Sequence, residues 1–179
     1  DKGWTVGSPD DQAVQGKWER GDPVEIDLQR IGGPILQPDD DHTPDGHLCF
    51  ATGIGGGMNF VQFVPDGRTT LTSPPLPLRR FVQPVLRLHL SFMSMDFGGE
   101  AEDKSTLAIE ISSDNGATWT PALTTDDNQE TWTLVTLFPA DHITLTDEVR
   151  VRLWIDVPEG IGGFPTELSK VLVDDVTLL

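Results

Sequence analysis

Several stretches of the chain alternate apolar and polar residues with a period of two, the pattern of a strand that buries one face and wets the other. In Val85–Phe92, Leu86, Leu88, Leu90 and Phe92 fall on one side and Arg87, His89 and Ser91 on the other. Leu107, Ile109 and Ile111 alternate with Ala108, Glu110 and Ser112. Val149, Val151, Leu153, Ile155 and Val157 alternate with Arg150, Arg152, Trp154 and Asp156. Further strands are predicted at 48–52, 69–73, 131–138 and 171–178. No stretch sustains the apolar period of a helix. About eight strands with turn-rich joins predict an all-β fold, an antiparallel two-sheet β-sandwich. Residues 1–47 hold clustered acids, Pro and Gly around Trp4 and Trp18. They read as long N-terminal loops laid over the sandwich, with one or two short strands. Residues 53–68 and 158–170 also read as loops.

Composition narrows the function classes. The 179 residues suit one domain, 1–179, large enough for its own core. A net charge of −17 opposes nucleic-acid binding, which works by neutralising phosphates, and docking on anionic lipid. No apolar run is long enough for membrane insertion. The lone cysteine, Cys49, cannot form an intrachain disulfide and reads as a small buried hydrophobe. With Asp1 first and no leader-like stretch, the chain reads as a mature product or a piece of something longer.

The sharpest local motif is Ser112-Ser113-Asp114-Asn115-Gly116-Ala117-Thr118-Trp119, which fits the Asp-box pattern S-x-D-x-G-x-T-W. Asp114, Asn115 and Gly116 supply a tight turn that tolerates positive φ. A propeller needs this box repeated, and it occurs once, so a structural hairpin is expected.

A second cluster is Asp39-Asp40-Asp41-His42-Thr43-Pro44-Asp45-Gly46. Its carboxylates repel one another. Either the loop is solvated or it serves a hard cation, and Ca2+ accepts an irregular set of oxygens. Asp174-Asp175, amid Val171, Leu172, Val173, Val176 and Leu178, could contribute. Alternation would turn one of them to the buried side, which is costly without a partner or a metal. Glu19 and Asp22, beside Trp18, could complete the site.

Catalytic signals are weak. His42, His47, His89 and His142 form no H-E-x-x-H or H-x-H, and there is no G-x-S-x-G elbow. The polar side of the central strands carries Arg87, His89, Glu110, Arg150, Arg152 and Trp154. These could be cross-strand ion pairs that support the sheet. They could also form a shallow groove for a glycan or peptide, with Trp154 as platform and Arg152, Arg87, Arg150 and His89 around it.

Taken in order, several segments resemble the MAM-like jelly-roll superfamily. Trp4, Asp10-Asp11 and Trp18 are similar to its opening loop, and Asp41-His42-Thr43 with Gly46-His47 to its D-H-T…G-H segment. Leu71-Thr72-Ser73-Pro74-Pro75-Leu76 is similar to its L-x-S-P-x-L strand, and Val171–Leu178 to its closing I-x-I-D-D-I-x-L strand. The run Trp18–Pro23, Gln37–Pro44, Thr69–Pro74 and the Ser112–Trp119 box resemble modules appended to secreted bacterial zinc carboxypeptidases and related exported hydrolases. The resemblance implies a noncatalytic, secreted or extracellular jelly-roll accessory module whose partner is a parent hydrolase catalytic domain. It also implies a structural Ca2+ between the acidic loop and the last strand. Asp41, Asp174 and Asp175 are then the leading ligands, with Asp39, Asp22 and Glu19 as further candidates. The acid that often precedes the opening Trp can only be Asp1, and the paired cysteines of animal MAM domains are absent. Three readings stay open: a calcium-stabilised accessory module, a carbohydrate- or peptide-binding module using the Arg/Trp face, and a stand-alone jelly-roll hydrolase or lyase.

Overall fold

The alternation read along the chain becomes pairing in space. A computed structural model describes residues 3–57, 60–98, 104–160 and 164–179. Its strands are β1 (Thr5–Val6), β2 (Trp18–Gly21), β3 (Ile26–Asp27), β4 (Ile35–Gln37), β5 (Cys49–Thr52), β6 (Gly67–Thr72), β7 (Leu86–Asp96), β8 (Thr106–Ser112), β9 (Thr120–Thr125), β10 (Gln129–Leu137), β11 (Arg150–Val157) and β12 (Glu167–Leu178). One antiparallel sheet runs β1-β6-β11-β8-β9 and the other β10-β7-β12-β5-β2. From β5 to β12 the chain passes repeatedly between the sheets, which closes the sandwich in jelly-roll fashion.

The apolar parity of each long strand fills the space between the sheets. Leu86, Leu88, Leu90, Phe92, Val171 and Val173 of one sheet share a core with Leu107, Ile109, Ile111, Val151, Leu153 and Ile155 of the other. The second sheet is also covered on its outer side. The β3–β4 ribbon supplies Ile26 and Leu36, which pack with Phe63, Met93 and Leu168. Residues 1–47 are therefore not only draped loops: β1 and β2 join the two main sheets, and β3–β4 forms a lid on one of them. Asp11 fastens the opening loop by accepting hydrogen bonds from the Thr70 amide (2.8 Å) and hydroxyl (2.6 Å). The expected loop at 158–170 is shorter than predicted, because β12 starts at Glu167. The polar residues Glu167, Ser169 and Lys170 are buried there. Glu167 accepts from the amide and hydroxyl of Ser105 and from Ser94, so its carboxylate is satisfied inside.

The Ser112–Trp119 box is the β8–β9 turn. Asp114 accepts from the Ser112 hydroxyl (2.7 Å) and from the Thr118 amide (2.8 Å) and hydroxyl (2.6 Å). Asn115 and Gly116 take positive φ of 61° and 92°. The hydrogen bonds from Thr118, with that from Ser112, hold the Asp114 carboxyl down at about 2, below its ordinary 3.8. A depressed carboxyl pKa stabilises the native state above the unfolded value and loses that contribution as the pH falls toward about 2. Acid unfolding of Asp114→Asn should therefore show a weaker pH dependence between about 4 and 2 than wild type. Superimposable acid-unfolding curves would deny the turn this role.

Candidate functional site

One departure from regular pairing creates the most distinctive part of the molecule. On β12, Asp174 lies opposite His89 but Thr177 lies opposite Arg87, so one residue is extra and the strand bulges. Asp175 takes the left-handed conformation, φ 51°. The expectation that Asp174 and Asp175 would point to opposite sides fails for this reason: the bulge lets both carboxylates reach the same loop, 41–48. Thr43 Oγ1 donates to Asp174 Oδ2 (3.2 Å) and Asp175 Oδ1 (2.7 Å). The His42 amide donates to Asp174 Oδ2 (3.1 Å), and His42 Nδ1 is 2.8 Å from Asp175 Oδ2. The loop folds onto itself through the Leu48 amide, which donates to Asp41 Oδ2 (2.8 Å).

These contacts frame a cavity of about 750 Å³ at one end of the sandwich. Its lining includes Asp41, Asp45, Asp174 and Asp175 together with Trp4 and Phe50, whose ring centroids are 5.7 Å apart. Asp41 Oδ1 is buried and has no hydrogen-bond partner. Burial pushes the Asp41 carboxyl up from its ordinary value, and the negative charges of Asp174 and Asp40 push the same way. Asp175 is held down by its hydrogen bonds from Thr43 and His42. Behind it, His89 stacks on His42 with centroids 3.4 Å apart, and Trp132 meets His42 edge-on at 6.1 Å. Burial, and then the neighbouring His42, hold His89 below the ordinary imidazole value. Cys49 lies beneath, 1% exposed, its thiol pushed up to about 12 by burial, an inert apolar group as expected.

The structure thus brings Asp41, Asp174 and Asp175 together and leaves the other candidate ligands elsewhere. Asp39 accepts from the Glu25 amide at 3.3 Å, Glu19 from the Ile54 amide at 2.6 Å, and exposed Asp22 does not line the cavity. Asp1 lies outside the described residues. His42 and Thr43, and the juxtaposition of His42 with His89, were missed as site residues. Asp-His-Thr marks the loop in sequence, but nothing local links it to a histidine on β7.

The Arg/Trp face is corrected in a different way. Arg87 and His89 lie on β7 of one sheet, whereas Arg150, Arg152 and Trp154 lie on β11 of the other, so the six residues do not form one surface. The β11 residues are committed to one another. Trp154 Nε1 donates to Glu110 Oε2 (2.7 Å), as does Arg152 Nε (2.6 Å). Arg68 covers the Trp154 ring at 4.0 Å and is bound to Asp156 at 2.8 Å, and Arg152 lies 4.3 Å over Trp119. Arg150 is held by Asn115 and the Ser73 carbonyl. This is the cross-strand pairing that supports a sheet, and the Trp154 platform is already covered by Arg68.

No family model matches the chain, and no curated protein matches it. Among solved structures it is similar to the K1 cleaved adhesin domain of Lys-gingipain from Porphyromonas gingivalis W83, at 15% identity over 98% of this chain and 97% of that one, TM-score 0.44. It is also similar to the xylanase 10B CBM22-1–GH10 modules of Clostridium thermocellum complexed with xylohexaose, at 11% identity and TM-score 0.43. That match covers 99% of this chain but 26% of the longer one. A third likeness is to CBM28, a non-crystalline cellulose specific carbohydrate-binding module, at 11% identity over 76% and 77% of the two chains, TM-score 0.40. No helix among the described residues is long and apolar enough to cross a membrane.

Proposed function

We propose that the chain is a noncatalytic accessory module of a secreted hydrolase, a metallopeptidase by the sequence resemblance, whose acidic loop is pinned to its last strand by Ca2+. The observation that carries the reading is the orphaned, buried Asp41 Oδ1 on a residue that lines the cavity with Asp174 and feels its charge. An oxygen-only pair with one unsatisfied atom suits a hard cation, which tolerates irregular geometry and completes its shell with water. Bound there, Ca2+ would supply charge neutralisation, and Asp41 and Asp174 would hold it. Ligation of the native state alone stabilises by RT ln(1 + [Ca2+]/Kd), about 2.7 kcal/mol at 100-fold excess over Kd. Each kcal/mol moves Tm by roughly 2–4 °C at this size.

The expected result is a Tm several degrees higher in millimolar Ca2+ than in chelator, with the difference abolished by Asp41→Ala. Identical melts in the two buffers would remove the ion from the account. The parent assignment is tested by the coding sequence on either side of this segment, which should encode a hydrolase domain.

The same cavity gives the glycan or peptide reading a better location than the β11 face. Its Trp4–Phe50 wall beside carboxylates pairs an apolar surface for stacking with acceptors for hydroxyl or amide groups. A glycan and peptide array probed with wild type and Trp4→Ala should show binding that the substitution removes. Absence of binding by wild type leaves a purely structural module.

A further inference from the structure

We propose that His42, His89 and Asp175 form a site for a borderline divalent metal ion of the Zn2+ type, separate from the oxygen-only pair Asp41–Asp174. One ligand atom from each of the three residues can be chosen so that all lie within 4.8 Å of one another. His42 Nδ1 and His89 Nδ1 both approach Asp175 Oδ2, at 2.8 and 3.8 Å. The first distance is a hydrogen bond and the second is too long for one. His89 Nδ1 is left buried without a partner, beside the one carboxylate oxygen that both rings address. A cation at that point would satisfy all three groups at once.

The donor set selects the metal. Two imidazole nitrogens and one carboxylate oxygen suit Zn2+ and its d-block neighbours, whereas Ca2+ and Mg2+ favour all-oxygen shells. Donors about 2.0–2.1 Å from a tetrahedral ion stand roughly 3.3 Å apart, so small movements are required. The two rings are parallel within 12° and must open, because an ion lies near the plane of each imidazole that holds it. His42 is on a loop and can turn, while His89 is fixed on β7 between paired strands. The ion would join three distant parts of the chain: the acidic loop, β7 and the β12 bulge. The site does not depend on the calcium reading, since Asp41 plays no part in it.

The test uses the full chain, dialysed against chelator and titrated with Zn2+ in a calorimeter. Wild type should bind one Zn2+ per chain. His42→Gln and His89→Gln should each weaken binding at least tenfold, and His142→Gln should leave it unchanged. Excess Ca2+ should not displace the Zn2+. Histidine ring resonances provide a second measurement on wild type alone: those of His42 and His89 should shift on Zn2+ addition and those of His142 should not. Failure of wild type to take up Zn2+ would overturn the proposal. So would uptake that survives both histidine substitutions, or resonance shifts confined to His47 or His142. A Ca2+ effect on Tm that persists in His89→Gln, with Zn2+ binding lost, separates this site from the calcium site.

Discussion

Glu110→Ala should be among the most damaging single substitutions outside the apolar core. Glu110 Oε2 accepts from both Arg152 Nε (2.6 Å) and Trp154 Nε1 (2.7 Å), and Glu110 is 9% exposed. Removing the carboxylate leaves a largely sequestered guanidinium without its counter-charge and an indole N–H without an acceptor. Breaking a buried pair from one side costs about 3–5 kcal/mol. Arg152 keeps some access to solvent and its contact with Trp119, so about 2–4 kcal/mol is expected, or on the order of 10 °C in Tm. Glu110→Gln should recover part of the loss by accepting one of the two bonds. Denaturant melts of the two variants decide the matter. A loss under about 0.5 kcal/mol for the alanine variant would mean that the ladder is a solvated surface, free to take a ligand, and would restore the Trp154 face as a binding candidate.

Lys170 should give the molecule an unusual alkaline response. Its side chain is 1% exposed, donates to the Gly53 carbonyl and lies 5.4 Å from the Phe63 ring. Burial holds its ammonium pKa down at about 7, against an ordinary 10.5, despite an opposing pull from Glu19. Between these two values the unfolded chain carries a proton that the native state lacks, so stability rises with pH; below about 7 both states are protonated and the penalty is constant. One proton limits the slope to about 1.4 kcal/mol per pH unit. Cys49 acts in the opposite sense above 9, where the unfolded thiol ionises and the buried one does not. The informative window is therefore pH 7 to 9. Wild type should gain stability across it, and Lys170→Met should be flatter there and about 1–2 kcal/mol more stable at pH 7, since an apolar side chain carries no buried charge. Parallel pH profiles for the two proteins would show that Lys170 is not held neutral.

The long strands could be read from the chain because a strand that lays one face on the core repeats its apolar residues with a period of two, and Leu86–Phe92, Leu107–Ile111 and Val151–Val157 keep a large apolar residue at every inward position. The two-residue strands β1 and β3 were not legible, since they are held mainly by backbone pairing and are too short to show a period. The first part of β12 was hidden for another reason. Glu167, Ser169 and Lys170 look like loop residues, and only partners more than fifty positions away make their burial affordable. Alternation also reports parity and not sheet, which is why Arg87 and His89 were grouped with Arg150 and Arg152 on what proved to be opposite sides of the sandwich. At the candidate site, clustered Asp residues drew attention to Asp41, Asp174 and Asp175. His89 was legible only as a polar position on a strand, because its meeting with His42 is made by tertiary folding.

The extra residue at Asp174–Asp175 has an effect beyond the cavity. Upstream of it Val171 and Val173 face inward; downstream Val176 and Leu178 do, so odd-numbered positions hand over to even-numbered ones. The tail of the chain is therefore written in the opposite phase to the strand that leads into it. Excising a single aspartate here would restore plain alternation, with Val176 falling opposite Leu88 and both Val176 and Leu178 still inward, so the added residue serves the paired carboxylates and their loop and not the apolar interior.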